Sequence, residues 1–224
     1  MRKITDLEYR IREAAQSYYS GESIMSDEEF DKLVEELKVL DPDNELINKI
    51  GFGFIPETDN KVRHNTSIVS EFDYPIVVGS LPKVREWSWK SSSMGDYTVT
   101  PKFDGISIVL YYKDGLLVDA VTRGNGSEGI SIVDYVRHID GLDRILLNDT
   151  LIIRGELIIT NSNWSKLSSS SSYKNQRNAI SGIVNSKDKS LLSFITLAPY
   201  KIIFGGSGNY KTDLSTIKAN LYFL

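Results

Sequence analysis

The apolar residues of this chain change period partway along it, and that change limits the folds open to it. In the first fifty residues they recur every three or four positions. Leu7, Ile11, Ala14/Ala15 and Tyr18 form one such stripe, and Phe30, Leu33, Val34 and Leu37 form a second. That spacing puts each set on one face of a helix. From Tyr97 onward the period is two. Ile106, Ile108, Leu110 and Tyr112 alternate with less apolar neighbours, and Asp114-Gly115 follows as a hairpin signal. No helix accommodates the second pattern and no strand the first. The fold class is therefore α+β: a small helical unit over 1–50, a connecting segment over 51–95, and a domain built on an antiparallel sheet over 96–224.

Local signals refine this reading. Thr5 with Glu8 and Ser26 with Glu29 fit capping boxes at two helix starts, and Gly21 fits the end of the first helix. Asp41-Pro42 stops the second helix and predicts a third beginning at Pro42. Residues 51–95 hold Gly51, Gly53, Pro56, Pro75, Gly79, Pro82 and the run Ser91-Ser92-Ser93. They predict loops with one or two short elements, a place for a hinge, and Trp87 and Trp89 packed on the following domain. Strands are expected over Tyr97–Phe103, Ile106–Tyr112, Leu116–Thr122, Leu151–Ile159 and Phe194–Phe204. Helices are expected over Asn178–Val184 and Asp213–Leu221. The serine run 168–172 predicts a loop.

Composition narrows the functional classes. The chain has 224 residues, a net charge of −4 and no cysteine. Disulfides and thiolate zinc sites within it are excluded. A strongly basic nucleic-acid-binding surface is not indicated, so any such face is local or sits on another chain. No stretch approaches a membrane span and the N-terminus lacks a signal-peptide core, which predicts a cytoplasmic protein.

The run with the most chemistry is Thr100-Pro101-Lys102-Phe103-Asp104-Gly105. An amine that takes up a phosphoryl group must be held beside the phosphate and be at least partly neutral. Lysine suits this because desolvation or nearby cations readily lower its pKa. Asp104 is placed to orient the amine, and Gly105 permits close backbone approach. Alone, the run reads far more readily as a solvated turn lysine followed by a turn-forming Asp-Gly. It is followed, however, by Thr122-Arg123-Gly124-Asn125-Gly126, by Arg154-Gly155-Glu156 and by Gln176-Arg177-Asn178-Ala179.

In order and spacing these four runs resemble the K-x-D-G, T-R-G-D-G, R-G-E and N-P-R-N-A motifs of the covalent nucleotidyltransferases, NAD-dependent DNA ligases in particular. Upstream, Tyr18-Tyr19 and Ser26-Asp27-Glu28-Glu29-Phe30-Asp31-Lys32-Leu33 resemble the Y-[YH] and SDxEYDxL signature of the helical appendage peculiar to NAD-dependent ligases. Gly79-Ser80-Leu81 resembles the segment on the adenine side of the pocket. The resemblance covers nearly the whole chain. It implies an ATP-grasp-like nucleotidyltransferase (adenylation) domain. Lys102 would accept AMP, with Ser80, Leu81, Thr100, Pro101, Asp104, Gly105, Arg123, Glu156 and Arg177 around the adenylate and Glu156 on the ribose. Tyr18, Tyr19, Asp27, Phe30 and Asp31 would hold nicotinamide mononucleotide, whose flat cationic ring suits aromatic stacking. It also implies NAD as AMP donor, Mg²⁺ held mainly by phosphates and water, no metal-ligating side chain, and nicked double-stranded DNA as the final acceptor.

Four positions depart from the pattern. Thr100 stands for a glutamate, Asn125 for an aspartate, Phe30 for a tyrosine and Asn185 for an arginine. The family's adenylation domain also continues into two further lysine-bearing segments that this sequence does not contain. The domain is expected to be incomplete at its C-terminal end. The chain is either cut from a longer enzyme or, the preferred reading, one subunit of a split viral or phage ligase in the host cytoplasm. Its partner would then carry the remaining motifs and the OB-fold. The alternatives are an ATP-dependent RNA-ligase- or capping-type nucleotidyltransferase, for which the Tyr18–Asp31 unit has no task, and a non-catalytic nucleotide-binding or docking subunit. A plain α+β domain with chance motifs accounts for none of the ordered matches.

Overall fold

Ser26 starts a helix in the way its sequence context predicts. Glu29 N–H donates to Ser26 Oγ at 3.2 Å, and Ser26 N–H donates to Glu29 Oε2 at 2.8 Å. The helix so capped, α2 (Asp27–Leu40), packs against α1 (Arg2–Tyr19) through a core of Leu7, Ile11, Leu33, Leu37 and Leu46. These observations come from a computed structural model that describes residues 2–19, 24–48, 59–79, 100–145, 150–169, 171–186 and 188–221. Trp87, Trp89, Ser80, Leu81, Gly21 and most of the expected hinge lie outside the described residues.

Two details of the helical unit differ from expectation. α1 begins at Arg2, so Thr5 lies inside the helix and does not cap it. Its first turn is held by tertiary contacts: Lys3 pairs with Glu36 at 2.8 Å and Ile4 packs on the shared core. The third helix, α3 (Glu45–Asn48), starts after Pro42. Buried Asn44 accepts from Leu46 N–H and donates to Glu8 and Asp41, so it fixes the start three residues later than the proline would.

The remainder is built on a four-stranded antiparallel sheet of order β3-β2-β5-β6, with β2 Ile106–Lys113, β3 Leu116–Thr122, β5 Leu151–Ile159 and β6 Ile195–Phe204. The β2–β3 turn has Asp114 at φ 50° and Gly115 at φ 79°, the pair of positive values that a tight primed hairpin turn requires. A two-stranded ribbon pairs β1 (Lys61–Arg63) with β4 (Glu128–Ile130). One face of the sheet (Ile108, Leu110, Tyr112, Ile153, Leu157) is covered by α4 (Val133–Val136), α5 (Asn161–Leu167), α6 (Gln176–Val184) and α7 (Tyr210–Asn220). Val109, Tyr111, Val121 and Ile152, on the other face, meet Val69, Ile76 and Val78. Each such fully buried aliphatic side chain contributes about 1.5–3 kcal/mol, so the two apolar layers dominate the stability of this part. No helix among the described residues is long and apolar enough to cross a membrane.

Residues 100–103 carry no strand. Pro101 has no N–H to give a ladder, and Lys102, Phe103 and Asp104 are exposed, so pairing starts only at Ile106.

Candidate functional site

The four sequence runs converge at one end of the sheet. The loop bearing Lys102 enters β2, and Gly105 hugs β5 so closely that a Cβ there would lie 2.0 Å from the Leu157 carbonyl oxygen. The sequence assigned this glycine to nucleotide approach; the close neighbour is the protein's own backbone. One residue into β2, Ser107 faces Glu156 across the β2–β5 register. The Ser107 carbonyl also accepts from Arg123 N–H at 2.9 Å, which fixes Arg123 where β3 ends.

Beyond Arg123 the chain turns sharply. Gly124 has φ +55°, and a Cβ there would sit 1.9 Å from the Glu128 carbonyl oxygen, so only glycine fits without a shift. Asn125 Oδ1 accepts from Ser127 N–H at 3.0 Å and from Glu128 N–H at 2.9 Å. An asparagine supplies this acceptor as well as an aspartate does, which accounts physically for the departure at this position.

Arg177 sits in the first turn of α6. Asn175 caps the helix by accepting from Asn178 N–H at 2.8 Å. Gln176 Nε2 donates to the Ile159 carbonyl and to Asn161 Oδ1, both at 3.0 Å, which ties that turn to the end of β5. From there the Arg177 guanidinium donates to Asp104 Oδ1 at 3.2 Å and lies over the Tyr18 ring, 4.7 Å from its centroid. Tyr18 thus brings the helical unit to within one residue's reach of the Lys102 loop.

Glu156 is the electrostatic centre. Burial pushes its carboxyl pKa up, and the charges of Arg177, Arg123, Lys102 and Arg154 act against that push. A half-buried carboxylate in the field of three arginines and the lysine of an exposed loop is suited to gripping a polyanionic ligand and its hydroxyls.

Arg154 belongs to the Arg154-Gly155-Glu156 run, but the resemblance assigns it no contact of its own. Its Nη2 donates to the Gly79 carbonyl at 2.7 Å, and its guanidinium stacks on Tyr200 at 5.6 Å, while Tyr200 Oη lies 3.3 Å from Ser107 Oγ. Its Nε is buried without a partner. The available signal was period two: Arg154 and Glu156 share a face of β5. Through Arg154 the segment ending at Gly79, next to Ser80, is held against the sheet.

Among the nicotinamide candidates, Tyr18 reaches the site. Phe30 packs against the core of the helical unit. Asp31 lines a depression of about 350 Å³ on α2 with Glu28, Lys32 and Glu35. Tyr19 ends α1 and Asp27 begins α2; their side chains, like Ser80 and Leu81, lie outside what the structure describes. Thr100, Pro101, Lys102 and Asp104 lie in an exposed stretch that leads into β2. Asn185 is the C-cap of α6.

Comparison with known proteins identifies close parallels. The NAD-dependent DNA ligase adenylation domain family matches residues 58–224. The DNA ligase of Borrelia turicatae is 32% identical over 223 residues, covering 92% of this chain and 33% of that protein. That of Ruminiclostridium cellulolyticum is 35% identical over 193 residues, 80% of this chain and 28% of that protein. The DNA ligase of Acanthamoeba polyphaga mimivirus is 31% identical over 196 residues, 84% of this chain and 28% of that protein. The chain thus spans roughly a quarter to a third of the length of the curated relatives it matches, from 26% to 33%.

Proposed function

The chain belongs to the NAD-dependent DNA ligase adenylation domain family, and from that membership we propose that Lys102 accepts AMP from NAD. The observation that carries the reading is the convergence of the Lys102 loop, Arg123, Arg154 and Arg177 on Glu156, with Tyr18 stacked on Arg177.

In this reading the Lys102 amine, as the free base, attacks the α-phosphate of NAD. A phosphorus–nitrogen bond forms, the bond to nicotinamide mononucleotide breaks, and the amine proton is lost to solvent. Arg123 and Arg177 meet the charge on the phosphate oxygens, where fixed cations contribute most to the transition state. Glu156 accepts from the ribose hydroxyl. Asp104 orients the amine and exchanges Arg177 for it when ligand arrives. Ser80, Leu81, Thr100, Pro101 and Gly105 border the adenylate, while Tyr18, Tyr19, Asp27, Phe30 and Asp31 hold nicotinamide mononucleotide. AMP then passes to the 5′-phosphate of nicked double-stranded DNA, and the 3′-hydroxyl seals the nick and releases AMP. The helical unit over 1–50 and the sheet domain over 96–224 have these separate tasks, joined by 51–95.

Mg²⁺ belongs to the proposal because phosphoryl transfer needs charge neutralisation. Among the described residues no group of three or more acidic, histidine or cysteine side chains is placed to hold a metal. These residues do not form a cage for the ion, which phosphates and water would hold. The nick-sealing surfaces and the remaining nucleotidyltransferase lysines are proposed to lie outside residues 1–224, on this polypeptide or on another, working with this chain in the cytoplasm.

The test uses NAD labelled in its adenylate phosphate. Label that becomes covalently attached to the wild-type chain, stable to alkali and released by acid as a phosphorus–nitrogen bond requires, with equimolar release of nicotinamide mononucleotide and no labelling from ATP, supports the proposal. Labelling from ATP as efficient as that from NAD contradicts it.

A further inference from the structure

His64 follows β1, is completely buried, and has no place in the chemistry described so far. Its Nδ1 lies 2.9 Å from the Tyr111 hydroxyl; its Nε2 lies 3.1 Å from the Thr122 carbonyl oxygen and 3.3 Å from that of Arg123. A carbonyl only accepts. Nε2 therefore carries the proton, and Nδ1 accepts from the Tyr111 hydroxyl. Burial lowers the ring pKa and so favours this neutral form. The backbone of His64 is bound as well: its N–H donates to Ser127 O at 2.9 Å and its carbonyl accepts from Ile76 N–H at 2.9 Å.

These contacts meet at Arg123. Its N–H is held by Ser107 O, its carbonyl takes the His64 ring and also Gly126 N–H at 3.0 Å, and the turn closing behind it ends on Ser127. An aliphatic residue at this buried position would bring no ring nitrogens to satisfy. Both nitrogens instead reach the two strands that lead to the motif. We propose that His64 is a positioning residue for the adenylate site: its Nε2–H, bonded to the Thr122 and Arg123 carbonyls over Tyr111, sets the backbone from which the Arg123 side chain meets the nucleotide. The inference rests on the proposed role of Arg123.

The test compares His64→Gln, whose amide N–H reaches the Nε2 position, with His64→Asn, whose amide stops at Nδ1. Lysyl-AMP formation from NAD is read in single turnover, below the unfolding midpoint of every variant, alone and combined with Arg123→Ala. Loss of the donor is expected to slow His64→Asn about tenfold, with His64→Gln within about threefold of wild type. The double variant His64→Asn/Arg123→Ala is expected to be no slower than Arg123→Ala alone. Equal losses in both His64 variants that follow their stabilities, or additive losses in the double variant, would overturn the proposal. If the wild-type chain forms no lysyl-AMP, the proposed function fails, and ¹⁵N spectra still decide the positioning. An Nε2–H ring, with the Arg123 amide signal displaced in His64→Asn but not in His64→Gln, supports it; an Nδ1–H ring overturns it.

Discussion

Glu156 holds its proton more firmly than an exposed glutamate because the sheet removes it from water, even with four cations in its field. This has a consequence for stability. A carboxyl whose pKa is raised by folding keeps its proton in the native state where the unfolded chain has already released it. The native state then binds more protons, and stability falls as pH rises through that window. Denaturant unfolding of wild type and Glu156→Gln, from the ordinary glutamate value of 4.5 upward to neutral pH, is expected to show wild type losing stability relative to the variant. A difference that stays flat or reverses would contradict the assigned environment. At this scale the sequence revealed residue types but not contacts. Lys102, Glu156 and Arg177 stood out through their motifs. Arg154 appeared only as a member of its run and His64 not at all, since what distinguishes them is a bond to Gly79, 75 residues away, and one to Tyr111, 47 residues away.

Elements were legible where a local signal matched the tertiary outcome. α2 has its start in Ser26 and Glu29, and β2–β3 has both alternation and a turn whose dihedrals only Asp-Gly-like pairs adopt readily. β4 was missed because three residues carry no period and are fixed by pairing with β1. α4 and α5 were missed because their four and seven residues are too short to show a stripe. The first turn of α1 was misread because Lys3–Glu36 and Ile4 outweigh the Thr5 signal. Ser26→Ala tests the local account: removal of the cap is expected to cost about 1 kcal/mol, seen as a lower urea midpoint. An unchanged midpoint would show that packing alone sets this helix start.

At the scale of the molecule, the helical unit and the sheet meet where Arg177 lies between Tyr18 and Asp104. A cation–π contact between half-buried groups is worth about 0.5–2 kcal/mol, and an ion pair with an exposed carboxylate about 0–1 kcal/mol. Contacts of that size position the unit without locking it, so a phosphate that draws Arg177 away from Asp104 meets little resistance. Tyr18→Ala is therefore expected to fold as wild type and to slow the release of nicotinamide mononucleotide about tenfold. Release at the wild-type rate would remove the helical unit from the proposed NAD site. The α+β class was readable at this scale from the change of period alone, whereas the meeting point was not, because Tyr18 and Arg177 lie far apart in the sequence.

The most direct test is the intact mass of the chain after incubation with NAD and Mg²⁺, alone and with a candidate second polypeptide, beside Lys102→Ala. The account predicts a gain equal to one AMP that is absent from Lys102→Ala. No gain in any mixture, or an equal gain on Lys102→Ala, would contradict it.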